Sequence, residues 1–309
     1  MLSGRTRILD LDGSLLLQKE LFRRFSPNVI DLRKLGPSVR LWSNPANAAR
    51  VRSVLRREER EAVTFLGSGD FHHITSLLLR EYREPLTVIS FDHHPDWDIF
   101  PPKLGCGSWV SRTLEQGNIK KVILLGMSSV DLSSPFVESG NWKSLEKNRL
   151  EIYPYEHAPS RVFLRRIPGN RSVEARKSFL SKKIFWHGLK GKDPKIFFEG
   201  LLQRLPTREV YVTIDKDCLR ASYALTNWEE GRMGLDELLR FLTLIREHLD
   251  IVGLDITGDY SPPVTKGILR RVYSRWNHPL KHSAKGRTLD ESVLVNETVN
   301  LKILETLFS

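Results

Sequence analysis

Two short segments concentrate the side chains that bind metals and move protons. Phe91-Asp92-His93-His94-Pro95-Asp96 holds three ligand-type residues at alternate positions, and Thr213-Ile214-Asp215-Lys216-Asp217 holds two more. Alternate residues of an extended chain project to one side, so Asp92, His94 and Asp96 converge while His93 faces the other way. Pro95 reinforces this by disfavouring helix at His94. Asp215 and Asp217 meet the same condition on a second strand, and neighbouring parallel strands lie only about 4.8 Å apart, near enough for both sets to reach one point. Carboxylates crowded so closely repel one another, and without a cation some must hold protons at considerable cost. A divalent ion removes that cost. Carboxylate with imidazole suits manganese, iron, nickel or zinc better than calcium, and bridging aspartates suit two ions about 3.5 to 4 Å apart. A third polar cluster is Gly67-Ser68-Gly69-Asp70-Phe71-His72-His73.

All three clusters follow short apolar runs: Val63–Leu66, Leu86–Phe91 and Val210–Ile214. In open parallel sheets ligands bind beyond the carboxyl ends of strands, where these clusters would lie. Further runs at Arg7–Leu11, Val39–Trp42, Lys121–Leu125, Leu150–Tyr155, Lys183–Trp186 and Ile251–Ile256 read as strands. Several are apolar on both faces, as expected of strands covered by helices on both sides. Helical periodicity fills intervening segments at Ala46–Glu61, Ile74–Tyr82, Trp109–Glu115, Lys195–Leu205, Leu235–His248 and Leu289–Leu307. Strand, helix, strand is the signature of a parallel sheet with right-handed crossovers. The expected architecture is one three-layer α/β/α domain over residues 1–309 with a mostly parallel central sheet, and a long loop region at Ile256–Arg287.

Composition narrows the class without naming a function. The 309 residues are 40% hydrophobic and 28% charged, ordinary for a globular chain. No apolar stretch reaches the roughly 20 residues of a membrane span, and no signal-peptide core opens the chain, so a cytoplasmic protein without a membrane partner is expected. Cys106 and Cys218 are the only cysteines, so any metal must be held mainly by oxygen and nitrogen. The net charge of +11 favours anionic partners, but the basic runs carry no nucleic-acid motif and read as solvated faces.

The clusters together resemble the arginase and agmatinase (ureohydrolase) family, whose fold is shared with the histone deacetylases. Asp92-His93-His94-Pro95-Asp96 is similar to the family's Asp-Ala-His-X-Asp motif, and Thr213–Asp217 to its Ser-X-Asp-X-Asp motif. Gly67–His73 is similar to its Gly-Gly-Asp-His segment, and Leu254-Asp255-Ile256-Thr257-Gly258-Asp259 to the strand carrying its Asp-(hydrophobic)₂-Glu sequence. The order is the same from about Val63 to Pro263. The resemblance implies an arginase-like fold and a binuclear manganese centre: Asp92 and Asp215 bridging, His94 and Asp217 on one ion, Asp96 and His72 on the other. It further implies a small-molecule substrate, a homo-oligomer, and a metal-bridging hydroxide that attacks a planar guanidinium or amide carbon while Asp96 passes a proton to the leaving amine.

The chain departs from that pattern in three places. A residue separates Asp70 from His72 where the family motif has them adjacent, so the ligand is His72, His73 or Asp70. Where the family's arginases have a proton-shuttling His, this chain reads Gly105-Cys106-Gly107-Ser108-Trp109. Cys106 is then either a thiol acidified by its surroundings or a small packing residue beside glycines. The expected substrate-binding Glu has become Gly258, or is replaced by Asp259 one position later, so Asp259 is the candidate partner for a guanidinium. Trp97 and Trp109 flank the site as a substrate wall or as packing, and His187 is an extra acid or base or a structural hydrogen-bonding group. Besides guanidino or amidine hydrolysis, two readings follow: a deacetylase-like amide hydrolase on the same fold, and a basic binding protein that lost the reaction.

Overall fold

The computed structural model describes residues 5–100, 103–163, 169–177, 181–278 and 288–309. Its centre is a sheet of eight strands: β1 (Thr6–Asp10), β2 (Asn28–Asp31), β3 (Val63–Gly67), β4 (Leu86–Phe91), β5 (Ile119–Leu125), β6 (Leu150–Tyr153), β7 (Glu209–Asp215) and β8 (Asp250–Thr257). They are ordered β2-β1-β3-β8-β7-β4-β5-β6, and every pairing is parallel. The last strand in sequence thus sits in the middle, which brings the ends of β3, β8, β7 and β4 side by side.

Alternation along each strand builds the layers. In β4, Leu86 and Val88 enter one core while Ile89 and Phe91 enter the other; in β5, Val122 and Leu124 separate from Ile123 and Leu125 in the same way. The first core is covered by the helices Pro45–Leu55 and Trp109–Leu114, through Val51, Leu55, Val110 and Leu114. The second is covered by Pro194–Leu202, Leu235–His248 and Leu289–Phe308, through residues such as Phe198, Phe241 and Ile303. Each fully buried side chain of this size contributes roughly 1.5–3 kcal/mol, so the sheet is held from both faces. The three-layer expectation is met, and no described helix is long and apolar enough to cross a membrane.

Several local expectations are not met. Val39–Trp42 is not a sheet strand: Pro37 starts a short helix, Gly36–Val39, and only Trp42–Ser43 is extended, pairing antiparallel with Leu104–Gly105. Buried Arg40, with Asp12 and Asp70 as partners, dictates that path. Lys183–Trp186 is a strand, but in a separate antiparallel sheet of Ser160–Phe163, Val173–Lys177 and Ser181–Trp186. The helix expected through Glu61 ends at Leu55. Within Ile256–Arg287 the described part contains a helix, Ile268–Asn277, and residues 279–287 lie outside the described residues.

Candidate metal centre

The three polar clusters meet at the carboxyl ends of β3, β4 and β7. After β3 the chain tightens into the turn Gly69–Ile74, which turns His72 inward. His72 Nδ1 lies 3.0 Å from Asp92 Oδ2, 3.6 Å from Asp96 Oδ2 and 3.6 Å from Asp215 Oδ2. On the other side, His94 Nδ1 lies 3.0 Å from Asp217 Oδ2 and 3.8 Å from Asp92 Oδ1. His72, Asp92 and Asp96 form one group of converging donor atoms, and Asp92, His94 and Asp217 a second; Asp92 belongs to both. The structure thereby brings together all six residues expected as ligands.

Hydrogen bonds fix how these groups point. Thr213 Oγ1 donates to Asp255 Oδ1 at 2.7 Å, so at 2.8 Å it accepts from His72 Nε2. That arrangement keeps the proton on Nε2 and leaves a lone pair on Nδ1, the form that coordinates metals. Asp255 is itself anchored by Tyr211 and Thr75. Trp109 Nε1 donates to Asp96 Oδ2 at 2.7 Å, and Asp96 adopts a left-handed backbone (φ 45°). Asp92 accepts from the amide of His94, Asp217 from that of His93, and Asp215 from that of Asp217. Two glycines allow the crowding: a Cβ on Gly69 would stand 2.7 Å from Asp215 Oδ2, and one on Gly258 (φ 91°) 2.5 Å from Asp215 Oδ1. No side chain, including the family's Glu, fits at Gly258 without moving Asp215.

Electrostatics agree with a site built for a cation. Burial, followed by repulsion from neighbouring carboxylates, pushes Asp92, Asp96 and Asp215 well above the ordinary carboxylate range. Burial acts the same way on Asp217, but the hydrogen bond and charge of His94 outweigh it and hold this carboxyl low. Burial would depress His94, yet Asp217 and then Glu229 push it well above the usual imidazole range. His72 Nδ1 and Asp92 Oδ2 face each other, both buried and without a hydrogen-bond partner. A lone pair against a carboxylate oxygen is repulsive and costs several kcal/mol unless a proton or a metal cation lies between them. The donor set therefore fits divalent metal ions.

The other expectations divide. His73 turns away to Ser43 Oγ at 2.9 Å, with its pKa lowered to about 3 by burial, then by His72 and Arg270. Asp70 accepts from Trp228 Nε1 and bonds His278 Nε2, with Arg40 at 3.4 Å, so it ties down the pocket wall. His72 is thus the residue of that segment that faces the cluster. Cys106 lines the pocket, but burial first, then Asp96 and Asp70, push its thiol up, the reverse of acidification. Asp259, expected at the substrate, is buried, 2.8 Å from Lys216 Nζ and accepting from Gln18 Nε2, and is not among the residues lining the pocket. Trp97 is buried against Trp142 and Trp186, while Trp109 packs on His72 besides holding Asp96. His187 stands outside the site, on Arg171 O at 2.8 Å.

Above the cluster opens a pocket of about 390 Å³, into which Asp92, His94, Asp96, Asp215 and Asp217 all face. Three more carboxylates line it, Asp98, Asp131 and Glu229, with Trp228, Tyr273 and Trp276 as aromatic walls. Among the described residues no Lys or Arg lines it. Asp98 is pushed up to about 6 by burial, partly offset by Ser139. Asp98 continues the segment of Asp92 and Asp96, whereas Asp131, Glu229 and the aromatic walls were missed because they come from separate parts of the chain with no shared motif. Thr213 and Asp255 stood inside recognised segments, and their small polar character facing a His was the available signal.

No family model matches the chain. A curated relative, an uncharacterized protein of Thermotoga maritima, is 26% identical over 202 residues, 65% of this chain. The chain spans about three fifths of that relative's length, 59%. Among solved structures, arginase from Bacillus subtilis is similar with a TM-score of 0.57 and 12% identity, covering 99% of this chain and 98% of that one. Formimidoylglutamase from Bacillus subtilis matches at 0.55 and 13%, covering 98% and 86%. A variant of Trypanosoma cruzi formiminoglutamase with Mn2+ matches at 0.51 and 10%, covering 97% and 91%. Identities this low speak for the fold rather than for any substrate. With an all-parallel sheet in this order and near end-to-end superposition, the chain has the arginase fold.

Proposed function

We propose that the chain is a metal-dependent hydrolase of a non-peptide C–N bond in a small cationic molecule, of guanidino or amidine type. The observation that carries this is two donor triads sharing Asp92 on the floor of a pocket whose rim adds three carboxylates and no described cation. His72, Asp92, Asp96 and Asp215 would hold one divalent ion, and Asp92, Asp215, His94 and Asp217 a second. Manganese is the expected metal, by analogy with the formiminoglutamase, whereas nickel, iron and zinc suit the same donors. When bound, such ions acidify water and stabilise negative charge developing on the substrate.

The chain's own residues supply the rest. Asp98, Asp131 and Glu229 offer charge-assisted hydrogen bonds to a planar cation, and Trp228, Tyr273 and Trp276 offer π faces to it. Asp96, its Oδ2 oriented by Trp109, would pass a proton from the attacking water to the departing amine as the C–N bond breaks. Thr213 keeps the His72 lone pair toward the cluster.

Metal analysis of chelator-free protein, paired with a substrate panel, tests this reading. About two bound divalent ions per chain and urea or ammonia release from guanidino or amidine compounds are expected. Fewer than one ion after manganese or nickel reconstitution would sink it, turnover of acylated amines alone would establish the deacetylase-like reading, and metal without any turnover would leave a binding protein.

A further inference from the structure

His187, which the metal centre does not use, stands in a second pocket of about 460 Å³. Arg171, Lys192 and Arg204 share that pocket with it, beside the rings of Tyr153 and Phe197. One carboxylate, Asp193, also lines it, but its Oδ1 caps the helix Pro194–Leu202, accepting from the amides of Lys195 at 2.7 Å and Ile196 at 3.4 Å. Arg204 is held by Glu151 Oε2 and Tyr153 Oη, and Glu151 is also paired with Lys121. Among the described residues no carboxylate lies within ion-pair reach of Arg171 or Lys192. Lys192 is partly desolvated over the Phe197 ring, at 5.8 Å, with burial as the sole influence on its ammonium. His187 Nδ1 bonds the carbonyl of Arg171, which directs its Nε2 away from that bond.

Arg171 and Lys192 carry charges that no described carboxylate pairs with, and an anion in the pocket would gain attraction from both. The mixture is particular. Arginine matches phosphate in a two-pronged geometry, lysine acts as a point charge, and the partly exposed Phe197 ring favours a ligand with a planar part. We propose that this pocket is a binding site for a small phosphate-bearing molecule with an aromatic or other planar group, separate from the metal centre.

The test uses phenyl phosphate and inorganic phosphate as probes, titrated by calorimetry into the full chain and into two variants. Saturable binding is expected for both, tighter for phenyl phosphate. Arg171→Ala with Lys192→Ala, both exposed in the native protein, should weaken it at least tenfold with the circular dichroism spectrum retained. Asp215→Asn, which alters the metal centre, should leave it within twofold. Four outcomes would overturn the proposal: no saturable binding, equal binding by the double variant, loss of binding in Asp215→Asn, or binding of a single-stranded RNA oligonucleotide but of neither small phosphate. The first three reject the pocket, and the fourth reassigns the basic face to nucleic acid.

Discussion

The floor and the rim of the main pocket are built on different principles. The floor comes from the ends of three strands, whose register is fixed by an all-parallel sheet buried on both faces; a slip of one residue would turn every ligand to the wrong side. The rim comes from loops, Asp98 from the one that also carries Asp92 and Asp96, and from the helix Ile268–Asn277, held to the floor by side chains such as Asp70, which joins Trp228 to His278. A site whose reacting groups sit on rigid strand ends while its substrate contacts sit on loops can change what it accepts without rebuilding what it does.

The largest expected effect breaks the floor. Asp92→Asn removes the carboxylate shared by both donor triads. Bound metal should fall below one ion per chain and turnover should drop by more than the roughly 10²–10⁴-fold that a single acid–base group contributes. The metal-free wild type gives a matching pH test. Its raised Asp92, Asp96 and Asp215 bind protons more tightly folded than unfolded. Their contribution to stability is therefore complete below the unfolded value near 3.8 and is lost as pH rises through the higher folded values. A cation replaces those protons, so the rise in Tm caused by manganese should grow from pH 5.5 to pH 8. A rise that is constant or shrinks would argue against these carboxylates as ligands.

The contrast between floor and rim also explains what was legible in the sequence. Asp92, His94 and Asp96 could be read as a group from their residue types after a strand, although the chain leaves the strand at Phe91, Asp96 is left-handed, and His93, expected to face the other way, stands beside His94 and Glu229. His72 could not be separated from His73, since the turn Gly69–Ile74 has neither strand nor regular helix periodicity. Glu229 and Asp131 reach the pocket through tertiary folding that no local pattern encodes. Val39–Trp42 misled because its apolar spacing resembled a strand, whereas buried Arg40 and Pro37 set a different path. Asp259 shows the same limit of local pattern. Its place in the sequence could not reveal that fully buried Lys216, between Asp215 and Asp217, pairs with it.

Thr213→Val should act on the floor without removing a ligand. It deletes the acceptor that keeps the proton on His72 Nε2 while preserving shape. Groups that orient a metal-binding His typically matter by about 10- to 100-fold in affinity. Competition with a chelator should show a loss of that order for one of two ions, and an unchanged affinity would remove Thr213 from the account.

On the rim, Glu229→Gln and Asp98→Asn remove charge from the pocket wall. Each should raise KM for a cationic substrate about tenfold, with kcat changed less, because partly exposed charges are worth less than buried ones. Equal falls in kcat for both would mean that they take part in the chemistry and that the division between floor and rim is wrong. Glu229 offers the sharper test, since it also contacts His94 Nε2 at 3.2 Å; an altered metal content in Glu229→Gln would place it with the floor.

The smallest functional effect is expected at Asp259, the residue that sequence comparison singled out for substrate. Its carboxylate accepts from Gln18 Nε2 at 2.7 Å and lies 2.8 Å from Lys216 Nζ, which in turn donates to Asn300 Oδ1 at 2.9 Å. Breaking one partner of a buried ion pair costs roughly 3–5 kcal/mol, because the remaining charge stays desolvated. Asp259→Asn should therefore lower unfolding free energy by about 3 kcal/mol while leaving KM within about twofold in the protein that remains folded. Denaturant titration gives the first quantity and steady-state kinetics below the new midpoint the second. A large rise in KM at unchanged stability would return Asp259 to the substrate and require Lys216 to let it go.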